Sequence, residues 1–245
     1  KIKIMFDRIT PIVKNLLIIN GLFFIATLAF GSKGIQLSDF LGLHSFQSLG
    51  FQPHQMVTYM FMHASFTHLL FNMFALFIFG SALERVWDAK RFLIYYMATG
   101  VGAGLIQMFV AYIRVNSMFS DIPPEGVDLI LTEGYGLLQQ GKNYSDILMG
   151  SANISLNIPT VGASGAVFGI LLAFGMLFPN TELMLLFPPI PIKAKYFVIG
   201  YGAIELWMAF SNSPGDNVAH FAHLGGMLIG YILIKKWQSD RQNFY

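Results

Sequence analysis

The chain has no cysteine and little charge. The first absence excludes disulfides, thiol catalysis and cysteine-based metal sites. The second excludes more. Lys, Arg, Asp and Glu make up 11% of the 245 residues, against about 25% in a soluble domain. No basic patch is present either. The 15 Lys and Arg are scattered in small groups between apolar segments, so the formal charge of +2 offers nucleic acid no surface. Internal repeats and low-complexity tracts are also missing. What remains is apolar. Hydrophobic residues reach 55% and the mean hydropathy is +0.58, the profile of a polytopic membrane protein.

A helix needs about 20 apolar residues to cross the hydrocarbon core. Six segments are expected to do so, at 12–30, 62–83, 92–113, 162–178, 194–211 and 218–236. The run from Leu16 to Phe30, with Ile12 and Val13 before it, exceeds a signal-peptide core of about 7–15 residues, so it reads as an uncleaved first span. Pro179 ends the fourth span after Phe178. Pro188, Pro189 and Pro191 mark the turn before the fifth.

Charge sets the orientation. With the N-terminus inside, the inner segments hold Lys1, Lys3, Arg8, Lys14, Arg85, Lys90, Arg91, Lys193, Lys195, Lys235, Lys236 and Arg241, twelve basic residues in all. The outer segments hold three, Lys33, Arg114 and Lys142. That bias predicts cytoplasmic termini. Two outer loops are long. Residues 31–61 are apolar throughout and are expected to lie in the interface or re-enter beside the bundle. In 114–160 the expectation is one short interfacial helix, Val127 to Leu138.

The second, fourth and sixth spans run in one direction, so their first residues share a depth. There stand His63, His68, Asn72, Ser164, His220 and His223. Polar groups in a membrane are costly and are a functional hypothesis by default. Each also has a plain reading. Ser164 suits a helix N-cap. His68 and Asn72, four apart on one face, suit interhelical hydrogen bonds. His63, His68, His220 and His223 suit a zinc site, although no carboxylate is expected beside them. Gly165-Ala166-Val167-Phe168-Gly169 and Gly226-Met227-Leu228-Ile229-Gly230 are both G-x-x-x-G, a pattern that lets helices approach.

The last reading feeds the chemical one. Glycine faces just inward of Ser164 and His223 let those two backbones close, bringing hydroxyl to imidazole. A serine hydroxyl becomes a nucleophile when a neighbouring base takes its proton. The helix N-terminus at Ser164 offers unpaired N–H groups to an oxyanion, and His68 and Asn72 can add side-chain donors. Gly162 and Gly165 leave room for a substrate backbone.

This constellation resembles the rhomboids, the intramembrane serine proteases, over nearly all the chain from the first loop to the sixth span. The resemblance rests on G-x-S-G at Gly162–Gly165, on H-x-x-x-x-H-x-x-x-N through His63, His68 and Asn72, and on A-H-x-x-G-x-x-x-G from Ala222 to Gly230. It implies an all-α polytopic bundle of six spans in a single domain, 1–245. It implies Ser164 as nucleophile and His223, not His220, as base and acid. His68, Asn72 and the Ser164 N–H are then the oxyanion hole. Structural support falls to His63, Gly162, Gly165, Phe168, Gly226, Gly230 and Glu84.

The family's Ser–His dyad agrees with the expectation that no acid completes a triad, Asp216 lying in a loop and Glu205 deep in the fifth span. Phe168 is expected to stack on His223 where many relatives carry tyrosine. His54-Gln55 replaces a frequent Trp-Arg, which leaves the anchoring of the first loop open. Glu84, in Gly80-Ser81-Ala82-Leu83-Glu84, is expected to be a hydrogen-bond anchor.

The implied partners are transmembrane protein substrates in a lipid bilayer, met at the outer face of a cell (inner) membrane, with lateral entry expected beside the fifth span, where Trp207 and Phe210 line a gate. No metal, nucleotide or other cofactor is implied. A rhomboid-like binder that holds membrane clients without cutting them is the alternative. A solute transporter is disfavoured, because no matching pair of interrupted helices is present.

Overall fold

The computed structural model describes residues 9–184, 189–211 and 219–242. Lys1, Lys3, Arg8, Pro188 and Asp216 lie outside the described residues, as does the side chain of Arg241. The fold is helical. Among the described residues six long helices form the bundle: α1 (Pro11–Gly31), α2 (Phe66–Trp87), α3 (Ala89–Phe119), α4 (Ser164–Leu177), α5 (Ala194–Ser211) and α6 (His220–Gln242). By length and composition α1, α2 and α3 can each cross a membrane, and α4 is a shorter apolar helix.

Local chemistry explains the helix ends. Pro11 opens α1, where its missing N–H costs nothing. Thr10 precedes it but makes no side-chain cap. The cap comes instead from Glu84, whose two carboxylate oxygens accept from Ile12 N at 2.9 Å and Val13 N at 3.0 Å. Ser65 caps α2 by accepting from His68 N at 3.1 Å. The expected second span is corrected here: the helix begins at Phe66, so His63 stands in the turn before it. Midway, Leu76–Gly80 form a π-helical turn. Asp88, with φ of 72°, turns the chain sharply into α3 and caps it by accepting from Arg91 N at 3.0 Å.

The helix α4 stands at the centre. Ten of its residues are buried, including Ala166, Ile170 and Ala173 in the main core with Tyr95, Tyr96, Phe92 and Leu83. A helix apolar on every side belongs inside a bundle. Helix α3 flanks both α4 and α6. At 31 residues it runs to about 46 Å, longer than a hydrocarbon core, and it extends six residues beyond the expected span.

That extension carries a second small core. Val115 and Ile122 pack with Ile130, Ala152 and Leu156. The 114–160 segment holds three short helices, Pro124–Thr132, Gly134–Gln139 and Ile147–Asn157. The single helix expected at 127–138 is thus two, broken at Glu133, and the third had no expectation. A polar chain docks this segment on the first loop. Ser48 Oγ donates to Asn157 Oδ1 at 2.6 Å, Asn157 Nδ2 to Asn153 Oδ1 at 2.8 Å, and Asn153 Nδ2 to Asn143 Oδ1 at 2.9 Å.

The first loop is built around Gln55, which is fully buried. Its Oε1 accepts from His44 N at 3.3 Å and Gln52 N at 3.1 Å, and its Nε2 donates to Gly50 O at 2.9 Å. The anchoring left open by His54-Gln55 therefore falls to Gln55, with His54 Nε2 at 2.8 Å from Phe40 O. Burial holds the His44 imidazole below its ordinary pKa. Between α4 and α5, an antiparallel ribbon pairs β1 (Glu182–Met184) with β2 (Pro191–Lys193), where the prolines had suggested only a turn.

Candidate active site

Ser164 is the first helical residue of α4, not its N-cap. Ala163 holds the cap position, and its methyl group cannot accept a cap hydrogen bond. The chain arrives through an isolated bridge between Thr160 and Leu43, then a bond from Gly162 N to Tyr59 O at 2.9 Å. Gly162 has φ of +135°, a conformation that side chains rarely adopt. The bend frees the serine side chain from capping. Its Oγ lies 2.8 Å from His223 Nε2.

His223 reaches that position because α4 and α6 meet backbone to backbone. A Cβ on Gly226 would collide with the carbonyl of Gly165. A Cβ on Gly230 would collide with the Tyr95 hydroxyl, which itself donates to Gly169 O at 2.8 Å. A Cβ on Gly165 would meet Ala103. Phe168 lies over the imidazole of His223, with ring centroids 4.2 Å apart and planes 9° apart.

His68 approaches from α2. A Cβ on Gly162 would stand 2.9 Å from His68 Nε2 and 3.4 Å from Ser164 Oγ, so ring and hydroxyl flank one glycine. Asn72 is buried, and its Nδ2 donates to His68 O at 3.0 Å. His63 is buried edge-on against His68, with centroids 5.0 Å apart. Neither its Nδ1 nor its Nε2 has a hydrogen-bond partner among the described residues. The Ser164 N–H, in the first turn of α4, belongs to the set that helix geometry leaves unpaired.

One residue overturns the expectation that no acid serves His223. Glu205 of α5 is buried, and its Oε2 lies 2.8 Å from His223 Nδ1 and 2.6 Å from His220 Nδ1. The reading of the sequence placed it too deep. Glu205 is six residues from the end of α5 and His223 three residues into α6, offsets of about 9 and 4.5 Å. A glutamate side chain spans the remainder. The available signal was that single carboxylate in an apolar helix. The expectation that no carboxylate accompanies the histidines fails with it. Donor atoms of Glu205, His220 and His223 lie within 4.8 Å of one another, a set with the chemistry to hold a divalent ion. His223 Nε2, however, already faces Ser164, and both Nδ1 atoms reach the carboxylate directly.

Other expected residues lie apart. Glu84 is at the far end of α2 with its helix cap. Trp207 is 77% exposed on α5. Phe210 meets Phe221 of α6 edge-on, with centroids 5.6 Å apart, and both line a cavity of about 350 Å³ with Arg114. Arg114 Nη2 donates to Ala209 O at 2.8 Å, and its guanidinium lies 5.0 Å from the Phe221 ring centre, which ties the end of α5 to α3 and α6.

Comparison with known proteins agrees with this architecture. A family model described as a Rhomboid domain matches residues 50–121 and 129–237. YdcA of Bacillus subtilis, named as a rhomboid, is 29% identical over 185 residues, which is 74% of this chain and 68% of that protein. Rhomboid protein 1 of Saccharomyces cerevisiae, mitochondrial, is 26% identical over 196 residues, 74% of this chain and 42% of that protein. Rhomboid protease AarA of Providencia stuartii is 26% identical over 181 residues, 71% and 52% of the two chains. The chain spans about half the length of the last two.

Proposed function

The chain belongs to the rhomboid family, and on that premise we propose that it is a serine endopeptidase cutting peptide bonds in or next to transmembrane segments. One observation carries the reading: the Ser164 hydroxyl is 2.8 Å from His223 Nε2. His223 takes the Oγ proton as the oxygen attacks a carbonyl, then returns it to the leaving amine. The Ser164 N–H, His68 and Asn72 face the developing oxyanion. Water then hydrolyses the acyl-serine, and His223 acts again as base. Phe168 holds the imidazole by stacking.

Two features support chemistry below the membrane surface. Helix α4 has 14 residues, about 21 Å, against a hydrocarbon core of about 30 Å. A bundle-spanning helix of that length starts Ser164 inside the bilayer, in a recess that water must enter. A helical substrate hides its carbonyls in hydrogen bonds, so the segment unwinds where it is cut. The twelve-to-three basic asymmetry supports a cytoplasmic side for both termini and the other face for the site. The α5 side, with Trp207 and Phe210, is the entry route in this reading.

The test is labelling by a fluorophosphonate probe in detergent, together with cleavage of a transmembrane peptide, for wild type, Ser164→Ala and His223→Ala. Labelling and cleavage by wild type alone are expected, with Ser164→Ala folded at nearly unchanged Tm. Cleavage retained by Ser164→Ala would sink the mechanism. A folded wild type that binds the peptide and neither labels nor cuts would make the protein a client binder.

A further inference from the structure

We infer that Glu205 is a positioning residue for His223, so that the site works as a Ser–His–Glu triad, with His220 holding the carboxylate. This rests on the protease reading above. It departs from the dyad that the sequence motifs imply.

Hydrogen-bond chemistry fixes the roles. A carboxylate only accepts. Glu205 Oε2 lies within 2.8 Å of Nδ1 on both His223 and His220, so each Nδ1 carries a hydrogen. For neutral His223 that leaves Nε2 with its lone pair, aimed at Ser164 Oγ 2.8 Å away. The imidazole is thereby set in the one tautomer that can take the serine proton. When it does, the O–H bond breaks, an N–H bond forms at Nε2, and the ring becomes an imidazolium. Its Nδ1–H remains directed at the carboxylate, whose negative charge stabilises the new positive one. Glu205 neither takes nor gives a proton. The two histidines come from α6, one turn apart, and the acid from α5, so the triad is assembled only when those helices pack. Stacking by Phe168 fixes the ring plane but leaves its tautomer undetermined. The carboxylate supplies what the stack does not.

The experiment compares Glu205→Gln, Glu205→Asp and wild type, full chain in detergent, with kcat and KM measured on one transmembrane peptide and Tm on each protein. The glutamine amide can donate to Nδ1 and select the wrong tautomer. Glu205→Gln is expected to lose about 10²–10⁴-fold in kcat with KM changed less than about threefold, and Glu205→Asp is expected to retain more activity than Glu205→Gln. A packing role predicts the reverse order, because glutamine is the isostere. Wild-type kcat in folded Glu205→Gln, or activity of Glu205→Gln above that of Glu205→Asp, overturns the assignment. Should the variants not fold, 15N-histidine NMR of wild type decides it: His223 protonated at Nδ1 supports the triad, and His223 protonated at Nε2 overturns it. A wild type that does not label with fluorophosphonate fails the protease reading, a result separate from any of these.

Discussion

Among the described residues two carboxylates are buried, Glu84 at 4% and Glu205 at 6% exposure, and they stand toward opposite ends of the bundle. Both join segments distant in sequence. Glu84 receives two backbone N–H groups at the start of α1. Glu205 receives two imidazoles. Backbone amides neither titrate nor turn, so the first pairing is fixed once α1 docks. It offsets the desolvation of a carboxylate with a helix N-terminus that needed an acceptor. Imidazoles gain and lose protons, so the second pairing strengthens whenever His223 becomes charged. The same side chain at similar burial holds backbone amides in one place and titratable rings in the other. The partner makes the difference.

That contrast can be broken by a change that damages folding and turnover together. Gly226→Ala does so and has the largest expected effect. Its Cβ would press on the Gly165 carbonyl, which cannot rotate away. A loss of about 3 kcal/mol in stability is expected, with kcat of the remaining folded protein, on the proposed protease reading, down about 10²-fold as hydroxyl and imidazole move apart. Thermal denaturation and turnover, measured on the same preparation, check both.

Glu84→Gln should separate the two. Replacing a charged acceptor at a helix N-terminus is expected to cost about 2 kcal/mol, seen as a lower Tm, with kcat within about twofold of wild type. A large kcat loss at unchanged Tm would erase the distinction between the carboxylates. Phe168→Ala sharpens it from the other side. Removing the stacked ring is expected to cost about 1 kcal/mol in the transition state, roughly fivefold in kcat, while Phe168→Tyr keeps wild-type turnover.

The smallest effect concerns the first loop. His44 is buried and its pKa is lowered by that burial. Below the ordinary value of 6.5 the unfolded chain binds the proton more readily than the folded one. The stability contributed by neutral His44 is therefore complete above that pH and is lost as pH falls toward the folded-state pKa. Hydrogen exchange across 31–61 is expected to quicken at pH 5.5 relative to pH 7.5 after correction for intrinsic exchange, and His44→Gln should flatten the difference.

The residues most legible in the sequence were those whose meaning is local. Ser164 follows a glycine bend and opens a helix, and the glycine pairs sit at helical spacing, so close approach of α4 and α6 could be read from each segment alone. Glu205 was not legible because its partners lie across a helix–helix contact, and no periodicity in α5 points to them. The Ile147–Asn157 helix was missed for a related reason. Ile147, Leu148 and Ile154 are outward, while Asn153 and Asn157 are buried beside Ala152 and Leu156, so the buried face mixes polar with apolar residues and blurs the pattern that marks it. Gln55 looked like a departure from a familiar pair, and its four side-chain hydrogen bonds appear only once the first loop has closed around it.

The π-helical turn at Leu76–Gly80 has a consequence for lineage. It separates His68, whose ring flanks Gly162 beside the Ser164 hydroxyl, and Asn72 from Glu84, which accepts from the start of α1. Loss of one residue there could leave an ordinary helix with every local bond made. It would also rotate one half of α2 against the other by about 100°. The helix would survive such a deletion, but its two ends could not both keep their partners. Among descendants of this chain, the length of that turn is expected to be inherited more strictly than the identity of the residues that form it.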